Sequence, residues 1–237
     1  VVEGNDPDGY FGLKMEEAWN TGVILTHKFK LNHRDAVLSL DAYRTDFVNQ
    51  VVMDIEQAGL VRFYNLNGKS YSNSAQAEMQ WSPIKRLEWR LAYRWLDVKT
   101  DYESGLLEKP LVNKHRAFTN LAFATREKKN GAHWRFDATL QWIGTKRLPA
   151  AAHTDSEIHL DAVNNSRTNA YYLINSQVTY VFRKQMELYV GGENLTNFML
   201  HEPIISSDDP SNSTFDGSLV WGPVFGRMGY VGFRWWV

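Results

Sequence analysis

Between Ser74 and Trp95 the chain alternates apolar and polar residues through two successive runs. Ala75, Ala77, Met79 and Trp81 interleave with Ser74, Gln76, Glu78 and Gln80. After the segment Ser82 to Arg86, Leu87, Trp89, Leu91, Tyr93 and Trp95 interleave with Glu88, Arg90, Ala92 and Arg94. Side chains of an extended chain leave on opposite faces with period two, so this is a hairpin with one apolar and one polar face. A half-buried soluble sheet gives the same alternation. What narrows the choice is the length of the apolar face and the three Trp and one Tyr near its ends. A lipid-facing band bounded by aromatic girdles has that form, with the polar face turned to a wet interior.

The rest of the chain reads the same way. Further strands are expected at about Trp19 to Leu31, Ala36 to Val52, His115 to Thr125, His133 to Trp142, Tyr172 to Tyr180, Met186 to Leu195 and Val224 to Val237. With the hairpin that makes nine. The cleanest sets Trp134, Phe136, Ala138, Leu140 and Trp142 against His133, Arg135, Asp137, Thr139 and Gln141. Trp134 and Trp142 are eight residues apart on one face, roughly 27 Å of strand. A tilt of about 40° makes that roughly 20 Å along a membrane normal, near the height of a barrel's apolar band. No window approaches the run of apolar residues that a transmembrane helix needs. A mean hydropathy of −0.42 is compatible with a membrane barrel, because half of each strand faces water. A net charge of −1 and the lack of a basic stripe give no support to nucleic-acid binding. The absence of Cys excludes a disulfide scaffold and thiol chemistry.

Connections alternate between short and long, as periplasmic turns and extracellular loops do. The short ones fall near 32–35, 82–86, 126–132 and 183–185; the long ones are 54–70, 97–114, 145–168 and 197–223. Every short turn is basic: Arg34; Lys85 and Arg86; Arg126, Lys128 and Lys129; Arg183 and Lys184. The long loops are mostly acidic, with Asp97, Asp101, Glu103, Asp155, Glu157, Asp161, Asp208, Asp209 and Asp216. Singly each charge is a solvated surface group; their sorting by class of loop is the signal. An odd strand count cannot close a single-chain bacterial barrel. The fold expected is therefore all-β, an antiparallel up-and-down transmembrane β-barrel segment belonging to a larger barrel.

Four stretches give that barrel a family. GGENLTNF (Gly191 to Phe198) resembles the G-x-E-N-L-x-N/D signature of TonB-dependent outer-membrane receptors. The closing WGPVFGRMGYVGFRWWV (Trp221 to Val237) is similar to the terminal strand of the Bacteroidetes branch. YRTDFVNQVV (Tyr43 to Val52) and VRFYNLNGKSYSNSAQAEMQW (Val61 to Trp81) resemble two earlier barrel strands. The resemblance implies that residues 1–237 are the C-terminal portion of a roughly 22-stranded barrel. It also implies a plug domain and a TonB box supplied by sequence absent from these residues, and a place in the bacterial outer membrane among lipid and lipopolysaccharide. The implied activity is uptake of a scarce ligand, a ferric siderophore first, otherwise haem, cobalamin or another metal chelate, driven by TonB. A surface lipoprotein lid is a further candidate partner. The chain ends in Val237, with Trp236 one place before it, where the family ends in an aromatic residue.

Candidate site residues fall in the outer loops and at the outer strand ends. His153, Asp155, Glu157, His159 and Asp161 occupy every second position of one loop. Extended, that segment puts imidazoles and carboxylates on one face, a set that binds divalent metals. His115 and Arg116, where a strand leaves its outer loop, are expected to meet an anionic ligand together with Arg94, since Arg forks match carboxylate and catecholate oxygens. His201 and Glu202 rank below them. Glu193 and Asn194 are expected to fix structure where a strand meets its loop. Nucleotide-binding glycine loops, zinc-finger spacings and a nucleophile elbow are absent from the sequence, and no cofactor is expected. Two other classes compete with the import receptor. One is a small outer-membrane barrel enzyme, a protease or lipase using His and Asp at the rim; the other is a soluble carbohydrate-binding β-sandwich rich in aromatics.

Overall fold

The computed structural model describes residues 12–57, 60–149, 163–164, 167–182, 185–200, 209, 211, 217, 220 and 222–236. Among them, nine long strands form one sheet in sequence order: β1 (Glu17–Leu31), β2 (Arg34–Asn49), β5 (Ser70–Ile84), β6 (Leu87–Tyr102), β8 (His115–Ala124), β9 (His133–Ile143), β12 (Tyr171–Phe182), β13 (Met186–Glu193) and β14 (Met228–Trp235). Each neighbour pairs antiparallel. Four short strands, β3 (Val51–Asp54), β4 (Arg62–Asn65), β10 (Val163–Asn164) and β11 (Arg167–Thr168), form two hairpins at the long-loop end. A fifth, β7 (Gly105–Glu108), adds to β6. The sheet is open, with β1 and β14 as its edges.

Register carries each face unbroken across the sheet. Leu38 faces Met79, Met79 faces Leu91, then come Thr119, Leu140 and Ile174 in turn. One residue along, the row runs Val37, Gln80, Arg90, Asn120, Thr139 and Asn175. Cross-strand partners share a face, so one side is greasy and the other wet. Trp134 and Phe136 remain 45% and 41% exposed, and Trp89, Leu91, Leu140, Leu188 and Phe233 are exposed beside them. Among the described residues no second sheet covers this face, which removes the β-sandwich reading. A band of this kind left to water would aggregate; facing hydrocarbon, it is where it belongs.

The short end is built from tight turns. Asn32 and His33 both take positive φ (51° and 61°), the conformation that matches strand twist in two-residue hairpins. The turn expected over Ser82 to Arg86 contracts to Lys85 and Arg86. Strand β5 runs on to Ile84 through a register shift after Trp81, because Pro83 has no N–H to pair and the ladder bulges around it. At the long end the strands overshoot the apolar band. Residues 97–102, expected as loop, extend β6, with residues 99–102 pairing with β7, and residues 54–70 contain β4, which closes on β3. The nearest thing to a globular core lies here: Val52, Ile55, Tyr102 and Leu148 are buried, with Pro149 and Thr168.

Near β14 the glycines of the family motif have a steric reason. A Cβ on Gly191 would run into the ring of Tyr230, and one on Gly232 into the ring of Tyr189. Each tyrosine lies over the glycine of the neighbouring strand, on the wet face, and the two rings meet edge to face at 6.3 Å.

Candidate functional site

Strands β6 and β8 place Arg94 directly opposite Arg116 on the wet face, with Gln76 beyond Arg94 on β5. Like charges in direct cross-strand register oppose one another. Arg116 donates to Gln141 Oε1 at 2.7 Å; Arg94 has no hydrogen bond or ion pair among the described residues. The two guanidinium groups open onto a hollow of about 350 Å³ lined by Gln76, Ala92, Phe118, Thr139 and Gln141. Tyr171, next in the row after Ile143, stacks on Phe198 with ring centroids 4.5 Å apart. The hollow itself offers positive charge, amide groups and the ring of Phe118.

His115 does not join this cluster. It pairs with Trp95 and so stands on the greasy face. Its Nδ1 lies 2.7 Å from the Tyr93 hydroxyl, and its ring lies 6.1 Å from that of Tyr93 and 6.5 Å from that of Trp142. Consecutive residues of a strand diverge, and this separates His115 from Arg116; His115 belongs to the aromatic girdle. His153, Asp155, Glu157, His159 and Asp161 lie outside the described residues, as do His201 and Glu202. Among the described residues no group of three or more His, Asp or Glu is placed to hold a metal ion.

Lower on the wet wall the structure adds what the sequence reading missed. Glu187, only 2% exposed, accepts from both Arg135 on β9 and Arg234 on β14. It borders a second hollow of about 460 Å³, with Glu88, Asp137 and Gln177. Arg90 meets Glu78 at 2.7 Å, and Asn120 donates to Asp137 at 3.1 and 3.2 Å. The polar parity of these strands signalled a wet face, but the partners come from separate hairpins.

The overshooting strands form a cap on salt bridges. Arg147 forks onto Glu56 at 2.5 and 3.0 Å and donates to the Glu108 carbonyl at 2.6 Å. Arg62 reaches Glu103 at 2.5 Å, and the Tyr64 hydroxyl donates to Asp54 at 2.9 Å. Burial opposes ionisation of Glu108, but hydrogen bonds and charge from Arg167 and Lys114 outweigh it and hold its carboxyl below the usual carboxylate range. Burial pushes the Tyr102 phenol up to about 12 and lowers the Lys146 ammonium. A hollow of about 440 Å³ lies within the cap, lined by Asp54, Arg62, Glu103 and Arg147 among others.

After β13 the motif asparagines anchor the last loop. Asn194 Nδ2 donates to the carbonyls of Phe198 (2.8 Å) and Phe225 (3.0 Å), and its Oδ1 accepts from Phe198 N–H (3.0 Å) and the Thr196 hydroxyl (2.9 Å). Asn197 Oδ1 accepts from Arg227 N–H at 2.9 Å. Asn194 fills the structural role expected of it, whereas Glu193 is exposed.

A sheet that is greasy outside and wet inside, with tight turns at one end and long capped loops at the other, is the wall of a membrane β-barrel. The chain belongs to the family of TonB dependent receptor-like β-barrels, whose model matches residues 3–195. Its fold is that of solved receptors at low identity. A mutant of the ferric enterobactin receptor PfeA from Pseudomonas aeruginosa superposes with a TM-score of 0.66 at 17% identity, over 95% of this chain and 32% of the receptor. For the ferric-catecholate import receptor Fiu from E. coli K12 the values are 0.60 and 13%, over 98% and 29%. For the ferric yersiniabactin uptake receptor FyuA from Yersinia pestis they are 0.58 and 14%, over 93% and 30%. The chain spans about a third of the length of these receptors. None of the curated proteins matches it.

Proposed function

We propose that this chain is the C-terminal portion of the barrel wall of an outer-membrane import receptor of the Bacteroidetes type, which takes up an anionic metal chelate, a ferric siderophore, with energy from TonB. In this reading the remaining strands of a roughly 22-stranded barrel, the plug and the TonB box come from elsewhere in the polypeptide. The observation that supports it best is the Arg94–Arg116 pair. Two guanidinium groups face each other on the wet wall with no carboxylate between them. That arrangement costs free energy until an anion enters, and Arg forks suit the oxygens of carboxylates and catecholates. Solved relatives of the fold include receptors described as ferric enterobactin and ferric-catecholate receptors, which favours this ligand class over haem or cobalamin.

The test is made in the full-length receptor. A deletion strain starved of iron should fail to grow on a ferric catecholate, and the wild-type gene should restore growth. Each charged hydrogen bond to the ligand contributes about 1.5–3 kcal/mol, so R94A should weaken binding by about 10- to 100-fold and R94E/R116E should abolish growth. Normal growth of the deletion strain on every ferric chelate would remove the import reading. Growth that needs the receptor but ignores both arginines would move the ligand elsewhere in the barrel.

A further inference from the structure

The two ends of the sheet treat charge differently. At the long-loop end some outward charges are closed on one another, while Lys69, Lys99 and Lys109 have no ion pair and no side-chain hydrogen bond among the described residues. Arg44 forks onto Asp46 at 2.6–3.0 Å and donates to Asn73 at 3.0 Å, while Lys114 sits 3.3 Å from Glu108 and 3.8 Å from Asp97. At the short-turn end, Arg34, Lys85, Arg126, Lys128 and Lys129 have no ion pair and no side-chain hydrogen bond among the described residues. Position explains part of this. Arg34 pairs with Leu31 and continues the greasy row of Ala36 and Leu38, so it stands on the lipid side; its neighbour Asp35 falls on the wet face, opposite Lys30. Glu127 is the one acid in a turn with Arg126, Lys128 and Lys129, all of them exposed. Arg86 is different, because it lines the lower wet hollow.

These five bases lie just past the lower aromatic girdle. Trp81 and Trp89 lie side by side at 6.2 Å, and the Trp81 indole donates to the Leu31 carbonyl, beside the Arg34 turn. Trp134 stacks with Phe136 and lies tilted against Tyr180 next to the 126–132 turn. Tryptophans of a girdle sit at head-group level, so a base one turn further on is at the depth of lipid phosphates. Near an anionic lipid surface each base contributes about 1 kcal/mol, or about fivefold in affinity.

We propose that this rim is a binding surface for anionic phospholipid head groups of the periplasmic leaflet, of the phosphatidylglycerol and cardiolipin class, which collect as an annulus around the short turns. The proposal rests on the membrane-barrel reading and is independent of the transported ligand. Unpaired bases at head-group depth favour phosphate lipids over a soluble partner, whereas the unpaired bases of the upper rim lie among the acids Asp97, Asp101, Glu103 and Glu108.

The test uses the full-length receptor reconstituted in bilayers, with tryptophan fluorescence quenched by brominated phosphatidylglycerol or brominated phosphatidylcholine. The expected result is a preference for the anionic lipid that falls by at least about fivefold in R34Q/K85Q/R126Q/K128Q/K129Q. It should fall with added salt, and it should survive in R34K/R126K. Equal quenching of the wild type by the two lipids would overturn the proposal. So would an anionic preference that the glutamine variant leaves unchanged, since the partner lipids would then sit elsewhere. Heat-modifiable migration on gels reports whether the variants are folded; if the glutamine variant is not, K85Q/K128Q/K129Q alone must lose the preference. Failure of the wild type to enter bilayers at all would instead strike the membrane reading.

Discussion

Glu187 offers the sharpest test of how the wet wall is held. It is 2% exposed, and it bridges β9 and β14 by accepting from Arg135 and Arg234, whose side chains are 47% and 56% exposed. Glu187→Gln keeps the side-chain volume, so no cavity term enters. It turns one acceptor oxygen into an N–H donor and leaves the other neutral, so of two charge-assisted hydrogen bonds, each worth about 1.5–3 kcal/mol, one is lost and the other weakened. The half-exposed guanidinium groups are rescued by water, which places the sum at the lower end, about 2–3 kcal/mol. What remains is a pair of like charges around a neutral amide, so removing one should help. E187Q/R234Q is expected to recover about 1 kcal/mol relative to E187Q, a coupling that a double-mutant cycle isolates. Urea unfolding of the full-length receptor, followed by gel migration of the folded barrel, measures both quantities. A loss below about 0.5 kcal/mol in E187Q, or strictly additive effects of E187Q and R234Q, would mean that the bridge does not brace the wall.

Two further outcomes follow from the loops. Asn194→Ala breaks four hydrogen bonds at a buried residue with φ of 49°, so it is expected to cost about 2–4 kcal/mol; proteolysis should then cut the 194–227 segment faster, and an unchanged cleavage rate would contradict the anchoring role. Glu108 sets an acid limit on the cap. Its folded pKa lies below its unfolded value, so its contribution is fully present above the unfolded carboxylate range and is lost as pH falls through the folded value. Hydrogen exchange of residues 105–108, corrected for intrinsic rates, should be flat from about pH 5 to 8 and rise below about pH 4, with R167Q moving the onset upward. An onset that R167Q does not move would exclude the Arg167–Glu108 pair as its cause.

Much of the wall is legible in the sequence alone. The alternation over Ala75 to Trp95 and Trp134 to Trp142 names three strands and both faces, and the nine long strands observed are those expected. Even the separation of His115 from Arg116 was available, because Thr119, Leu121 and Phe123 put every odd position of that strand on the greasy side. The boundaries at Pro83 and beyond Trp95 were less legible, since a bulge and a strand overshoot depend on what the neighbouring strand offers.

The sequence by itself determined the strands, their two-sided character, their number and the rhythm of short and long connections. Those properties follow from period two and turn chemistry, which act within a few residues of the chain. Only the tertiary structure decided that Arg94 faces Arg116, that Glu187 is clamped from two other strands and that Arg147 closes on Glu56. Those contacts depend on the register between hairpins and on how long loops fold back, and a register shift of one residue would turn every such side chain to the other face.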